Sequence, residues 1–436
     1  MNHMNKIIIK NISQIATPEG KTALHGSEMN KIKIIEHAAI YIEDGIIKDL
    51  GTEGEVLQRI CPNNSHTKDG NTEGTDEIRT IDAGRKCVIP GFVDSHTHFI
   101  FAGYRPDEFV RRLQGTSYME IMNMGGGISS TVKATRNADK EHLYDLGKSR
   151  IQDMLSQGIT TIEGKSGYGL DFDTENRMLE VMEDLNRDTK IDIGITYLGA
   201  HAVFEEYKGD ADSYIDFMIA EALPVLKDNK AIEFVDAFCE DGVFDLDQTK
   251  RLLEAAGKMG FHLKMHADEI VPIGGAELAA NLGCTSADHL LAASDTGIEM
   301  LSKSDTVATL LPCTAFCLGK PYANARKMID AGCAVALASD FNPGSCFTQS
   351  IPLLAALGAI QMKMTPQEVL CALTLNGAAA INRADRIGSI EIGKKADFNI
   401  LKYEDYRFLI YNTAANTVDT VIKNGDIVAG EGREME

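Results

Sequence analysis

The chain has 436 residues, of which 44% are apolar and 25% charged. That length and apolar share supply a sizeable core, exclude wholesale disorder, and fit one large domain with a smaller companion. Lys and Arg total 43 against 64 Asp and Glu, and the net charge of −21 repels nucleic acid and anionic membrane alike.

In chain order, the opening MNHMNKIIIKN holds three consecutive apolar residues, too few for a signal-peptide core. No run approaches the roughly 20 apolar residues of a membrane span. Lys6–Ile9 and Ala38–Ile42 read as strands, with a turn at Glu43-Asp44-Gly45. Residues 62–77 are polar and without periodicity, and read as an exposed loop. Nine cysteines, at 61, 87, 239, 284, 313, 317, 333, 346 and 371, form no C-x-x-C pair. This indicates a reducing compartment and argues against a disulfide framework or a thiolate zinc site. The expectation is a soluble, cytoplasmic protein without nucleic-acid or membrane partners.

From 87 to 385 a short apolar run ending in polar residues repeats eight times: Cys87–Val93, Thr160–Glu163, Ile191–Leu198, Phe234–Phe238, His262–Met265, Ser286–Leu290, Val307–Leu311 and Ala334–Ala338. Helix-period stretches such as Thr174–Asn186, Leu246–Met259 and Asn324–Ala331 lie between them. Eight such units predict an α/β protein, a parallel (β/α)8 TIM-like barrel. A doubly wound open sheet is the alternative, but it wants a Gly-rich phosphate loop after its first strand, which Gly91-Phe92-Val93 is not. The C-terminal stretch returns to β character at Ala396–Leu401, Thr417–Lys423 and Ile427–Ala429. Residues 1–86 and 386–436 are therefore expected to build one small β-sandwich domain, with the barrel of 87–385 inserted between them.

Barrel chemistry sits at the C-terminal strand ends. His96 and His98, two apart on a strand, share a face. With His266 after the fifth run and Asp340 after the eighth, they make three nitrogens and one oxygen, a set that suits zinc or iron with a position left open for water. His3, His25, His37, His66, His142 and His262 read as structural or surface residues, and Cys313 and Cys317 as packing.

With those residues placed, the chain resembles the amidohydrolase superfamily. The resemblance rests on Pro90-Gly91-Phe92-Val93-Asp94-Ser95-His96-Thr97-His98, on His266, His289 and Asp340, and on the return segment Gly388–Phe398. Longer blocks narrow it to the superfamily's histidine-degradation branch. They are Phe101–Phe109, Gly125–Ile128 with Thr131–Arg136, Lys165–Leu170, Leu198–His201, His266–Glu269, Ser286–Leu290 and Asp340–Ser345. Two departures are the polar stretch at 62–77 and Cys313, where a glycine is expected; neither is expected to touch a ligand.

The resemblance implies ring opening of 4-imidazolone-5-propanoate to N-formimino-glutamate by a homodimer with one zinc or iron ion per subunit. It assigns His96, His98, His266 and Asp340 to the metal. Asp340 also accepts a proton from water, and His289 orients or deprotonates that water or stabilises the oxyanion. Glu269 is placed to hand a proton to the ring nitrogen. Arg105 is the expected clamp for the propionate, because its planar fork grips both carboxylate oxygens. Tyr168, His201, Asn342, Gly344 and Ser345 are expected to touch substrate. Gly125-Gly126-Gly127 reads either as a lid hinge or as a plain loop. The competing readings are a guanine or cytosine deaminase sharing the same ligands, and a non-catalytic scaffold of the same fold.

Overall fold

The computed structural model describes residues 5–60, 78–116, 120, 126–203, 205–207, 209–430 and 433–435. The stretch at 62–77 and Gly125 lie outside the described residues.

Eight strands stand in chain order in one parallel sheet. They are β1 (Phe92–Thr97), β2 (Ile159–Lys165), β3 (Asp192–Ala200), β4 (Ile232–Cys239), β5 (His262–Ala267), β6 (Ser286–His289), β7 (Val307–Leu310) and β8 (Val335–Leu337). The sheet closes on itself just beyond β8, where Thr97 bridges Phe341 in parallel register. There Asp340 N–H donates to His96 O at 3.0 Å and His98 N–H to Phe341 O at 2.9 Å. Side chains tie the same seam: Asp94 accepts from Ser339 N at 2.9 Å and from Ser339 Oγ at 2.6 Å. This is the (β/α)8 barrel the repeated rhythm predicts.

The helices cover the outside because one face of each is apolar. The three predicted stretches are helices Phe172–Asp188, Leu246–Lys258 and Ala325–Ala331. Each starts on a side-chain cap: Asp171 accepts from Thr174 N, Asp245 from Gln248 N in a capping box, and Asn324 from Lys327 N. Among the described residues no helix is long and apolar enough to cross a membrane.

Both chain ends build a second, mixed β-sandwich body. Its hydrogen-bonded order is Asp426–Gly430, Val418–Lys423, Phe398–Leu401, Cys87–Pro90, Lys6–Thr17, Lys33–Glu43, Ile46–Thr52, with Ile78–Asp82 and Arg433–Met435 to the side. Isoleucines 7, 9, 12, 15, 40, 42 and 47 pack with Val88, Phe398 and Ile422 in its core. The run Cys87–Val93, expected as one barrel strand, divides at Gly91: Cys87–Pro90 belongs to the terminal sheet and Phe92 opens β1. Gly91 N–H donates to Asp397 O at 2.9 Å. A side chain at Gly91 would run into Thr160, so the crossing between sheets needs glycine there.

Charges also join the two bodies. Asp192, at the start of β3, accepts from Lys423 and Lys395 of the terminal body at 2.8 Å each. Lys423 is buried and also donates to Asp397 at 2.6 Å.

Candidate active site

The inward positions of the barrel strands carry polar side chains near their C-terminal ends. His96 lies on β1 and His98 just past it; His266 lies on β5, His289 ends β6, and Asp340 follows β8. All five are buried. Sharp backbone turns aim two of them: His289 and Asp340 take left-handed φ of 76° and 53°.

The rings of His96 and His266 lie 4.6 Å apart, those of His96 and His98 5.3 Å, and those of His266 and His289 5.1 Å. Asp340 Oδ1 is 3.6 Å from Nε2 of both His96 and His98. Donors about 2.0–2.2 Å from a tetrahedral cation stand roughly 3.3–3.6 Å apart, so this spacing fits such an ion. His96, His98 and Asp340 form one triad with ligand atoms within 4.8 Å of one another, and His96, His266 and His289 a second.

Protonation also suits a metal. Burial holds His96 far below the ordinary imidazole range, with Lys165 and the neighbouring imidazoles adding to it. Burial and adjacent imidazoles do the same to His98 and His266. All three rings are neutral, with lone pairs available. His96 Nε2 and His266 Nε2 are buried with no hydrogen-bond partner among the described residues. Such orphaned acceptors are costly unless an ion takes them. Burial also pushes Asp340 up to about 7, against hydrogen bonds from Thr314 and Asn342. A cation beside it would restore its charge. The donor set fits one divalent metal.

Beneath these side chains lies a layer of paired charges that the strand-end reading passed over. His96 Nδ1 meets Asp288 Oδ2 at 2.6 Å, and His266 Nδ1 lies 3.0 Å from Asp236 Oδ2. Lys165 donates to Glu163 and Asp236 at 2.7 Å each, and Lys264 donates to Glu163 at 2.6 Å. A carboxylate on one imidazole nitrogen fixes the ring and leaves the other nitrogen free. The signal was in the sequence: Glu163 and Lys165, Lys264 and His266, and Ser286 and Asp288 are each two apart on a strand and share its inner face.

The segment after β7 carries a contact that the sequence reading did not single out. Thr314 Oγ1 donates to Asp340 Oδ2 at 2.6 Å. Pro312 starts a short helix there and brings the hydroxyl over the site.

The substrate-contact candidates divide into two groups. Arg105 precedes helix Pro106–Leu113. Its Nε is buried with no hydrogen-bond partner among the described residues, and its Nη1 lies 3.6 Å from Glu108. Tyr168 and His201 stand beside His98, with ring centroids 5.8 and 5.1 Å from it, His201 stacked at 15°. Glu269 Oε2 is 3.6 Å from His289 Nε2. Burial, then the charges of Asp340 and Glu240, push the Glu269 carboxyl up to about 8. Asn342 spends its amide on its own turn, donating to Asp340 O at 2.7 Å and Ser345 Oγ at 2.8 Å and accepting from Gly344 N and Ser345 N at 2.8 Å each. That turn holds Gly344 against Arg105.

The family model described as the Amidohydrolase family matches residues 87–428. An imidazolonepropionase of Parabacteroides distasonis is 55% identical over 423 residues, covering 97% of this chain and 99% of the relative. One from Clostridium tetani is 52% identical over 422 residues, covering 97% and 98%. The chain belongs to the imidazolonepropionase family of the amidohydrolases. Solved structures share the fold well beyond that family. A triazine hydrolase variant superposes with a TM-score of 0.71 at 15% identity, covering 98% of this chain and 95% of the other. An adenosine deaminase from Xanthomonas campestris gives 0.67 at 16%, covering 97% and 92%. As a member of the imidazolonepropionase family, the chain is a hydrolase of cyclic amide C–N bonds with a metal-binding site of the His/His/His or His/His/Asp kind.

Proposed function

We propose that the chain hydrolyses the cyclic amide of 4-imidazolone-5-propanoate to N-formimino-L-glutamate. The observation that carries this reading is the cluster of neutral imidazoles around Asp340 at the closed barrel's rim, in a chain 55% identical to a protein named imidazolonepropionase. His96, His98, His266 and Asp340 would hold one zinc or iron ion. When bound, such an ion acidifies water toward a pKa of about 7 and polarises the scissile carbonyl.

The protein's own groups do the rest. Asp288 keeps the Nε2 atom of His96 turned to the ion, and Asp236 stands 3.0 Å behind His266 Nδ1. Asp340 takes a proton from the attacking water, with Thr314 holding its second oxygen. His289, kept neutral by burial, orients that water and meets the oxyanion as it forms. Glu269, protonated near neutrality because it is buried, delivers a proton to the departing ring nitrogen. A leaving amide nitrogen needs that proton, since its anion is a poor leaving group.

Arg105 grips the substrate propionate. Its buried Nε, without a hydrogen-bond partner among the described residues, supports this, because an unsatisfied guanidinium N–H is set for an incoming anion. Tyr168 and His201 form the aromatic wall on which the ring lies, with Gly344 and Ser345 on the turn beside Arg105, and Asn342 braces that turn. A cytoplasmic homodimer is the working form. Eight free thiols among the described residues support the compartment, and the exposed Phe109, Leu113, Phe316 and Phe347 support a covered face.

The test follows imidazolone absorbance in the ultraviolet with purified protein, before and after chelation and with zinc or iron restored. Turnover lost on chelation and recovered with metal is the expected result. Ammonia release from guanine or cytosine, with imidazolone untouched, overturns the reading.

A further inference from the structure

Glu175 is a buried carboxylate on the inner side of helix Phe172–Asp188. Its oxygens face backbone N–H groups of the loop that follows β2. Oε2 accepts from Gly167 N at 2.7 Å, and Oε1 accepts from Gly169 N at 2.6 Å and Leu170 N at 2.8 Å. Three converging N–H groups make a concavity shaped for an anion, and here the anion belongs to the protein itself. The loop fits round it tightly: Gly167 and Leu170 take left-handed φ of 107° and 55°. A side chain at Gly169 would stand 2.9 Å from Glu175 Oε1.

Tyr168 sits in the middle of this loop. The Gly167 carbonyl, next to the peptide N–H that Glu175 grips, accepts from His201 Nδ1 at 2.8 Å. The rings of Tyr168 and His201 lie 5.4 Å apart. One carboxylate thus sets the tyrosine through the loop and the histidine through a single residue of it. From the other side Arg136 Nε donates to Gly169 O at 2.7 Å.

We infer that Glu175 is a positioning residue for substrate binding, holding Tyr168 and His201 as one unit through the backbone of Gly167–Leu170. The inference rests on the reading of Tyr168 and His201 as substrate contacts. Glutamine cannot replace Glu175, because it offers one acceptor oxygen and turns an NH2 toward a backbone N–H.

The test compares E175Q, Y168F and the double variant as full-length, metal-loaded protein, measuring KM, kcat and metal content. The expected result for E175Q is a KM about 10-fold higher with kcat within about twofold, at unchanged metal content. The double variant is expected to stay within about twofold of E175Q, since both changes act on one unit. Independent, multiplying losses would mark Glu175 as a general stabiliser and overturn the inference. Y168F impaired beside an unimpaired E175Q also overturns it, leaving the proposed function standing. Y168F with an unchanged KM removes the tyrosine contact itself and the inference with it. If E175Q does not fold, R136A loosens the same loop from a half-buried position; there an unchanged KM overturns the inference and a raised one supports it.

Discussion

Arg105 lies against Gly344 so closely that a methyl group there would occupy the space of the guanidinium Nη2. The loop after β1 and the turn after β8 are therefore fitted to each other at one point. Gly344→Ala should push the guanidinium out of place without touching the metal ligands. The expected result is a KM raised about 10- to 100-fold with metal content unchanged. Kinetics and elemental analysis check this, and an unchanged KM would remove Arg105 from substrate binding.

His96 is held from behind by Asp288. Asp288→Asn keeps the shape but weakens the acceptor that fixes the ring, and metal affinity should fall about 10- to 100-fold. Competition against a chromogenic chelator measures this. His266→Ala should lose metal outright, and full metal content in that variant would refute its assignment.

Glu269 belongs to none of the candidate metal-ligand clusters among the described residues, so its loss should separate chemistry from metal binding. Glu269→Gln is expected to lower kcat by about 10²–10⁴-fold and to retain the ion. A variant that turns over at the normal rate would move the proton donor elsewhere.

Asp192 joins barrel to β-sandwich. Burial raises its carboxyl pKa, but Lys423 and Lys395 more than offset this and hold it at about 2. The folded value is depressed below the ordinary 3.8. Its contribution to stability is therefore present in full above that ordinary value and is lost as pH falls toward 2. Asp192→Asn should lower the melting temperature at pH 7, and the gap from the parent should close in acid near pH 2. Thermal melts across pH 2–7 test this, and a gap independent of pH would contradict it.

The barrel was legible because parallel strands are buried on both faces and so read as unbroken apolar runs. The clustered side chains of His96, His98, His266 and Asp340 were legible because they fall where those runs end. What escaped detection lay inside the runs or just past them. Glu163, Lys165, Asp236 and Lys264 are fully buried charges, and their types alone suggest surface. Only their mutual pairing, across strands up to 101 residues apart in sequence, makes burial tolerable. Thr314 was missed for a related reason: its partner Asp340 is 26 positions away and meets it only once β7 and β8 lie side by side. The boundary at Gly91 was hidden because Cys87–Pro90 and Phe92–Val93 are both apolar, so a change of sheet leaves no break in hydropathy.

The segment Cys87–Pro90 lies between Lys6–Thr17, made before it, and Phe398–Leu401, made long after it. During translation its second edge stays open until some three hundred further residues have left the ribosome. Nascent chains stalled before Phe398 carry a bare β edge, and are the species a chaperone would need to shield from neighbours of their own kind.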